Sequence, residues 1–232
     1  AISFVSCDDW LDKTPKDRLY PDVYFKTEDE LRLFTNQFYN NLVPSAVDIY
    51  SESSDLIVKS DLMLEMSGQR IIPDEGNGWN FTALRDINFY LQYSHNCTEV
   101  NARNRYDGVA RFFRAYFYFE KVKRYGDIPW YDKALDSDDP ELYKARDSRE
   151  FVMQKMLEDL DFAIANLPKT KNAYVLTRWT ALALKSRVCL FEGTFRKYHG
   201  LEDCEKYLNA CVSASETFMN ESGYTLYKSG ST

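Results

Sequence analysis

The sequence predicts an all-α protein whose helices stack in pairs. Three observations point there. Apolar residues recur at helical spacing in segments that carry capping signals. No segment alternates apolar and polar residues over the length of a strand. Two aromatic-rich segments repeat one another at a distance, as stacked helical hairpins do.

The first helix is expected over 28–43. Thr27 with Glu30 three residues on forms a capping box, and Leu31, Phe34, Phe38 and Leu42 run down one side. Residues 44–78 are rich in Ser, Asp and Gly, show no steady period and end in "IIPDEGNG". They read as a long loop, which in a compact domain is often functional. A second helix over 79–94 carries Trp79, Leu84, Ile87 and Leu91.

The third helix, 102–125, contains the stretch "ARFFRAYFYFEKVKRY" and stops before Gly126. Val109, Phe112, Tyr116 and Phe119 share a face. Ala110, Phe113 and Phe117 lie on one side of it, and Ala115, Tyr118 and Val122 on the other. Arg114 and Lys121 share the narrow gap that remains. A helix apolar on most sides is packed on most sides, so this one belongs between other helices. A loop over 126–148 follows. Asp147 and Glu150 form a second capping pair for a helix over 150–167, lined by Val152, Met156, Leu160, Ala163, Ile164 and Leu167 and stopped before Pro168. Thr177 caps a helix over 178–193, and a last helix spans 202–219.

Arg111 aligns with Arg178. Each precedes an aromatic, Phe112 or Trp179, and each is followed fifteen residues later by Gly, at 126 and 193. Both segments lead into an amphipathic partner helix. Repeated helix pairs of this kind are the mark of tetratricopeptide-like stacks, in which the first member of each pair is the buried one.

Composition narrows the function. The formal net charge is −7 and the basic residues are dispersed, which argues against a nucleic-acid partner. No stretch approaches the ~20 apolar residues of a membrane-spanning helix. The five cysteines show neither CxxC pairs nor zinc spacing, so no metal or cofactor is expected. Cys204 and Cys211 lie seven apart on one helix, about 10 Å along its axis, too far for a disulfide. With Cys189 they are expected as buried free thiols; Cys97 is left unassigned. The adjacent pairs Asp138–Asp139 and Glu158–Asp159 point apart and are expected in solvent. His95 and His199 are the only histidines, and no nucleophile motif accompanies them. No catalytic residue is assigned.

The chain opens "AISFVSCDDW". A short apolar run, a small residue and Cys7 resemble the end of a lipoprotein signal peptide; the other reading is a frayed terminus with an incidental cysteine.

Several segments together resemble the SusD/RagB family of outer-membrane glycan-binding lipoproteins of the Bacteroidetes. "CDDWLDKTP", "WNFTALRDINFYL", "ARFFRAYFYFEKVKRYGDIPW", "ARDSREFVMQKMLEDLDFAIANLP" and "TRWTALALKSRVCLFEGTFRKYHG" occur in the family's order. The resemblance implies tetratricopeptide-like helical pairs with long loops. Residues 1–7 would be the signal remnant and the lipidated Cys7, and 8–232 the N-terminal helical domain of a longer family chain. Asp8 and Asp9 resemble an acidic surface-export signal. The role implied is non-enzymatic: a lipid-anchored protein on the outer face of the outer membrane captures oligosaccharide and passes it to a SusC-like TonB-dependent transporter.

Sugar rings present apolar C–H faces that lie on aromatic rings, while their hydroxyls need polar partners at the edge. By their location before the second helix, Asp55, Arg70, Asn77 and Trp79 are the candidate ligand-binding residues. The competing reading makes Trp79 a core residue that opens a helix and the other three solvated loop residues. The competing function is a helical-repeat adaptor that binds peptides or proteins.

Overall fold

The computed structural model describes residues 23–44, 67–69, 71, 78–226 and 228. Among them are six α-helices: α1 (Glu28–Leu42), α2 (Thr82–Tyr93), α3 (Val100–Tyr125), α4 (Arg149–Asn166), α5 (Arg178–Tyr198) and α6 (Cys204–Glu221). The described residues contain no strand, only one antiparallel bridge between Ile128 and Asp147. The all-α expectation holds.

The caps explain where the helices begin. Thr27 and Glu30 close the expected box at α1, with Thr27 Oγ1 accepting from Glu30 N–H at 3.3 Å and Glu30 Oε2 accepting from Thr27 N–H at 3.0 Å. Just before it, Phe25 takes a positive φ of 67°. That conformation disfavours a side chain, but the ring is wholly buried and packs edge-on against Phe34 and Tyr90. Thr177 caps α5 as expected, with Thr180 completing the box.

At α4 the expectation is corrected by one residue. Ser148 is the cap, accepting from Phe151 N–H at 3.3 Å. Asp147 is occupied elsewhere: its carboxylate accepts from Trp130 N–H at 2.7 Å and pairs with Lys144 at 3.0 Å. Glu150 likewise turns away from the cap toward Arg196, Lys206 and Tyr207. The second helix also starts later than its pattern suggested. Asn80 Oδ1 accepts from Thr82 N–H at 2.8 Å, so the first turn forms at Thr82 and Trp79 stays outside it.

Helices α3 and α4 form one hairpin, α5 and α6 another, and α1 and α2 pack on the far side of α3. α3 is accordingly buried over most of its circumference. Phe112, Phe113, Phe117 and Phe119 lie in the main core with Tyr118, while Tyr116 is half-buried at its edge. One expectation is overturned: Asp159, expected in solvent, is 2 % exposed and lies beside Arg114, itself 7 % exposed in the narrow gap of the wheel. Arg114 Nε donates to Asp159 Oδ2 at 2.6 Å and Nη2 to Oδ1 at 2.8 Å. The gap in the aromatic surface is therefore filled from the neighbouring helix by the one group that can neutralise a guanidinium.

The two matched glycines have different jobs. Gly126 ends α3 with φ +71°, a conformation that disfavours side chains. Gly193 does not end α5, which continues to Tyr198. A Cβ at 193 would lie 2.7 Å from Leu208 Cγ and Cδ2, so this glycine lets α6 approach α5 closely. A charged joint locks the hairpins together. Buried Glu192 accepts from Arg149 Nε at 2.8 Å and from Arg196 Nε at 2.8 Å, while Arg196 also pairs with Glu150. Cys97 and Cys189 are buried free thiols; Cys204 and Cys211 are free but only half-buried, because α6 is covered on one side alone. Burial pushes the Cys189 thiol up to about 12, which leaves it protonated and unreactive.

Candidate ligand cavity

The turn that carries Trp79 is pinned to the end of α3. Gly78 adopts φ +81°, and a Cβ there would meet Arg124 Nη1 at 3.2 Å and Tyr125 Oη at 3.3 Å. Lys121 Nζ donates to the Gly78 carbonyl. Burial, with Arg124 nearby, pulls the Lys121 ammonium below the usual lysine range. Trp79 then packs edge-on against Phe81 (4.9–5.3 Å being the span of its ring contacts, the shorter to Tyr125), and Arg146 lies 4.9 Å over its ring. The indole remains 40 % exposed, so it is a rim residue and not a core tryptophan.

Behind the rim is a cavity of about 310 Å³ between α2 and the loop that joins α3 to α4. Trp79, Phe81, Leu84, Tyr131, Leu135 and Leu142 make it mostly apolar; Thr82, Arg85, Asn88 and Lys133 supply its polar groups. A small volume with aromatic walls and a few directed polar groups is what a small-molecule site requires. Neither cation is bare: Arg85 faces Asp136 at 3.7 Å, and Lys133 pairs with Glu141 at 2.9 Å and Asp139 at 3.5 Å.

The loop wall is held by side chains that bind its main chain. Tyr118 Oη accepts from Tyr131 N–H at 2.7 Å and donates to the Pro129 carbonyl at 3.2 Å. Asn88 Nδ2 donates to the carbonyls of Tyr131 at 2.8 Å and Lys133 at 3.3 Å. Arg85 Nε donates to the Leu135 carbonyl at 3.1 Å. Burial raises the Tyr118 hydroxyl above the usual tyrosine range, so it stays a neutral donor and acceptor.

Of the residues the sequence nominated, Trp79 stands at this cavity. Asp55, Arg70, Asn77 and Cys7 lie outside the described residues. Sequence reasoning missed Phe81, Arg85, Asn88, Tyr131 and Lys133. One signal was present: Asn88 falls four residues after Leu84 on the apolar stripe of α2, and a buried amide there has to be serving a partner. Among the lining residues there is no Asp or Glu, so the paired carboxylates of glycoside hydrolysis have no counterpart in this cavity.

A protein-family model described as "Starch-binding associating with outer membrane" matches residues 38–178, more than half of the chain and the segment that builds this cavity. The chain belongs to the SusD/RagB family. Two curated relatives from Formosa agariphila are similar to it over most of its length. SusD-like protein P38 is 24 % identical across 80 % of this chain and 39 % of its own. SusD-like protein P2 is 26 % identical across 84 % of this chain and 42 % of its own. The chain thus spans about two fifths of the length of these relatives. A crystal structure of a SusD-like protein from Bacteroides fragilis superposes with a TM-score of 0.63, at 23 % identity, covering 92 % of this chain and 42 % of that one. That likeness is one of fold.

Proposed function

We propose that this chain is the helical part of a surface glycan-binding lipoprotein, and that oligosaccharide docks at the Trp79 cavity. The observation that carries the reading is the half-open indole on the rim of an apolar, aromatic cavity with a few polar groups at its edge. A pyranose ring lays its C–H face on such an indole, and Thr82, Arg85 and Lys133 meet its hydroxyls. The family's description as starch-binding and outer-membrane-associated supports the same class of ligand. In this reading the protein is not an enzyme: capture needs stacking and hydrogen bonds, not proton transfer. Lipid on Cys7 tethers it to the outer leaflet, and more than one acyl chain is needed for a stable hold. Captured sugar passes to a SusC-like TonB-dependent transporter, with Asp55, Arg70 and Asn77 extending the ligand surface.

A glycan array followed by calorimetry on the best binders tests the proposal. Trp79→Ala is expected to weaken saccharide binding about thirtyfold, the effect of losing one aromatic anchor worth about 2 kcal/mol. A protein that binds peptides well and no saccharide would replace this reading with the adaptor. Mass spectrometry of the protein from its native membrane is expected to find residue 7 acylated at its N-terminus.

A further inference from the structure

Asp159 and Arg114 touch none of the cavity, yet both are buried and lead to its wall. Arg114 spends two of its donor groups on Asp159 and a third, Nη1, on Asn88 Oδ1 at 3.2 Å. A guanidinium only donates, so the face of the Asn88 amide turned toward it has to be the oxygen. The amide nitrogen is thereby turned the other way, where its two hydrogens meet the Tyr131 and Lys133 carbonyls. The ion pair dictates which way the amide points, and the amide dictates where two lining residues sit.

We infer that Asp159 and Arg114 are positioning residues for the cavity, acting through Asn88 on the 131–133 wall. Stability alone is a poor reason for them. A buried ion pair roughly breaks even against well-packed apolar residues of the same volume. The second hairpin supplies a comparison: at the position matching Arg114 it has Ala181, fully buried, and its own buried charges, Glu192 and Arg196, serve the joint with α4 instead. At this position a charge occurs only in the hairpin whose connection builds the cavity. The part of this inference that concerns ligand rests on the reading of the cavity as a saccharide site.

The double variant Arg114→Met/Asp159→Leu removes both charges and nearly keeps the volume, so it is expected to fold. In hydrogen exchange, amides of residues 130–135 are expected to exchange at least tenfold faster, with α5 and α6 unchanged. Maltoheptaose, the probe for calorimetry, is expected to bind about tenfold more weakly. Asn88→Ala, which leaves the ion pair intact, is expected to give the same local acceleration and carries the test should the double variant not fold. Exchange in 130–135 that stays at the wild-type rate in the folded variants overturns the inference, and so does acceleration spread equally over α5 and α6. Should maltoheptaose fail to bind the wild-type chain, or bind Trp79→Ala unchanged, the saccharide reading is what falls, while the exchange measurement still decides the relay.

Discussion

The two hairpins share one plan and differ in what they do with it. In each, the matched arginine of the first helix reaches a carboxylate on the partner: Arg111 to Asp159 at 3.5 Å, Arg178 to Glu221 at 3.7 Å. Beyond that they diverge. The α5–α6 hairpin is closed by a short turn and packs tightly, with Leu208 seated against Gly193 and Ser186 bonded to Ser215 at 2.7 Å. The α3–α4 hairpin is open at the same end, and residues 126–148 leave it, cross to α2 and return. Its core holds a charged pair where the other holds an alanine. One hairpin is built for close packing; the other gives up part of its packing to hold a loop in place.

Breaking each hairpin at its own distinctive residue measures that difference. The largest effect belongs to the ion pair. Asp159→Ala leaves Arg114 buried without a counter-charge, and urea unfolding is expected to show a loss of about 3–5 kcal/mol. The next belongs to the glycine contact. Gly193→Val drives a branched side chain into Leu208, whose backbone nitrogen lies 3.1 Å from the Cβ position, and about 3 kcal/mol is expected to be lost. Its partner in the repeat, Gly126→Ala, meets open space and has only the strained φ to overcome, about 1–2 kcal/mol. Equal losses at the two glycines would mean that they play the same part after all.

The smallest effect tests the joint between the hairpins. Burial pushes the Glu150 carboxyl up, but Arg196, Tyr207 and Lys206 outweigh it and hold the group below its ordinary value of 4.5. A carboxyl with a lower pKa folded than unfolded contributes stability above its unfolded value and loses it as pH falls through the folded one. Glu150→Gln is therefore expected to melt slightly below wild type near neutral pH, and the two melting curves are expected to converge as the pH drops below 4.5. A gap that persists in acid would assign the contribution of Glu150 to its hydrogen bonds and not to its charge.

The helical frame was legible in the sequence because its signals are local. Thr27 with Glu30, Thr177 before an apolar run, and the stripe from Val152 to Leu160 each lie within a few turns of chain. What escaped was set at long range. Nothing near Asp159 in sequence announces burial, since the guanidinium that makes burial tolerable stands 45 residues away. Asp147 looked like a cap until Trp130 N–H, 17 residues back, claimed its carboxylate. The cavity was half legible. Trp79 could be nominated from its type and place, but its partners Tyr131 and Lys133 enter only through the bonds that Asn88 makes across more than forty residues.

The loop wall has a consequence for how the cavity can vary. Pro129, Tyr131, Lys133 and Leu135 are each gripped by a main-chain carbonyl. An exposed position on that wall such as Leu142 is therefore expected to accept other side chains with little effect on the path of the chain. Under the proposed saccharide reading, selectivity for a new sugar becomes a matter of swapping the furnishing while the room keeps its shape.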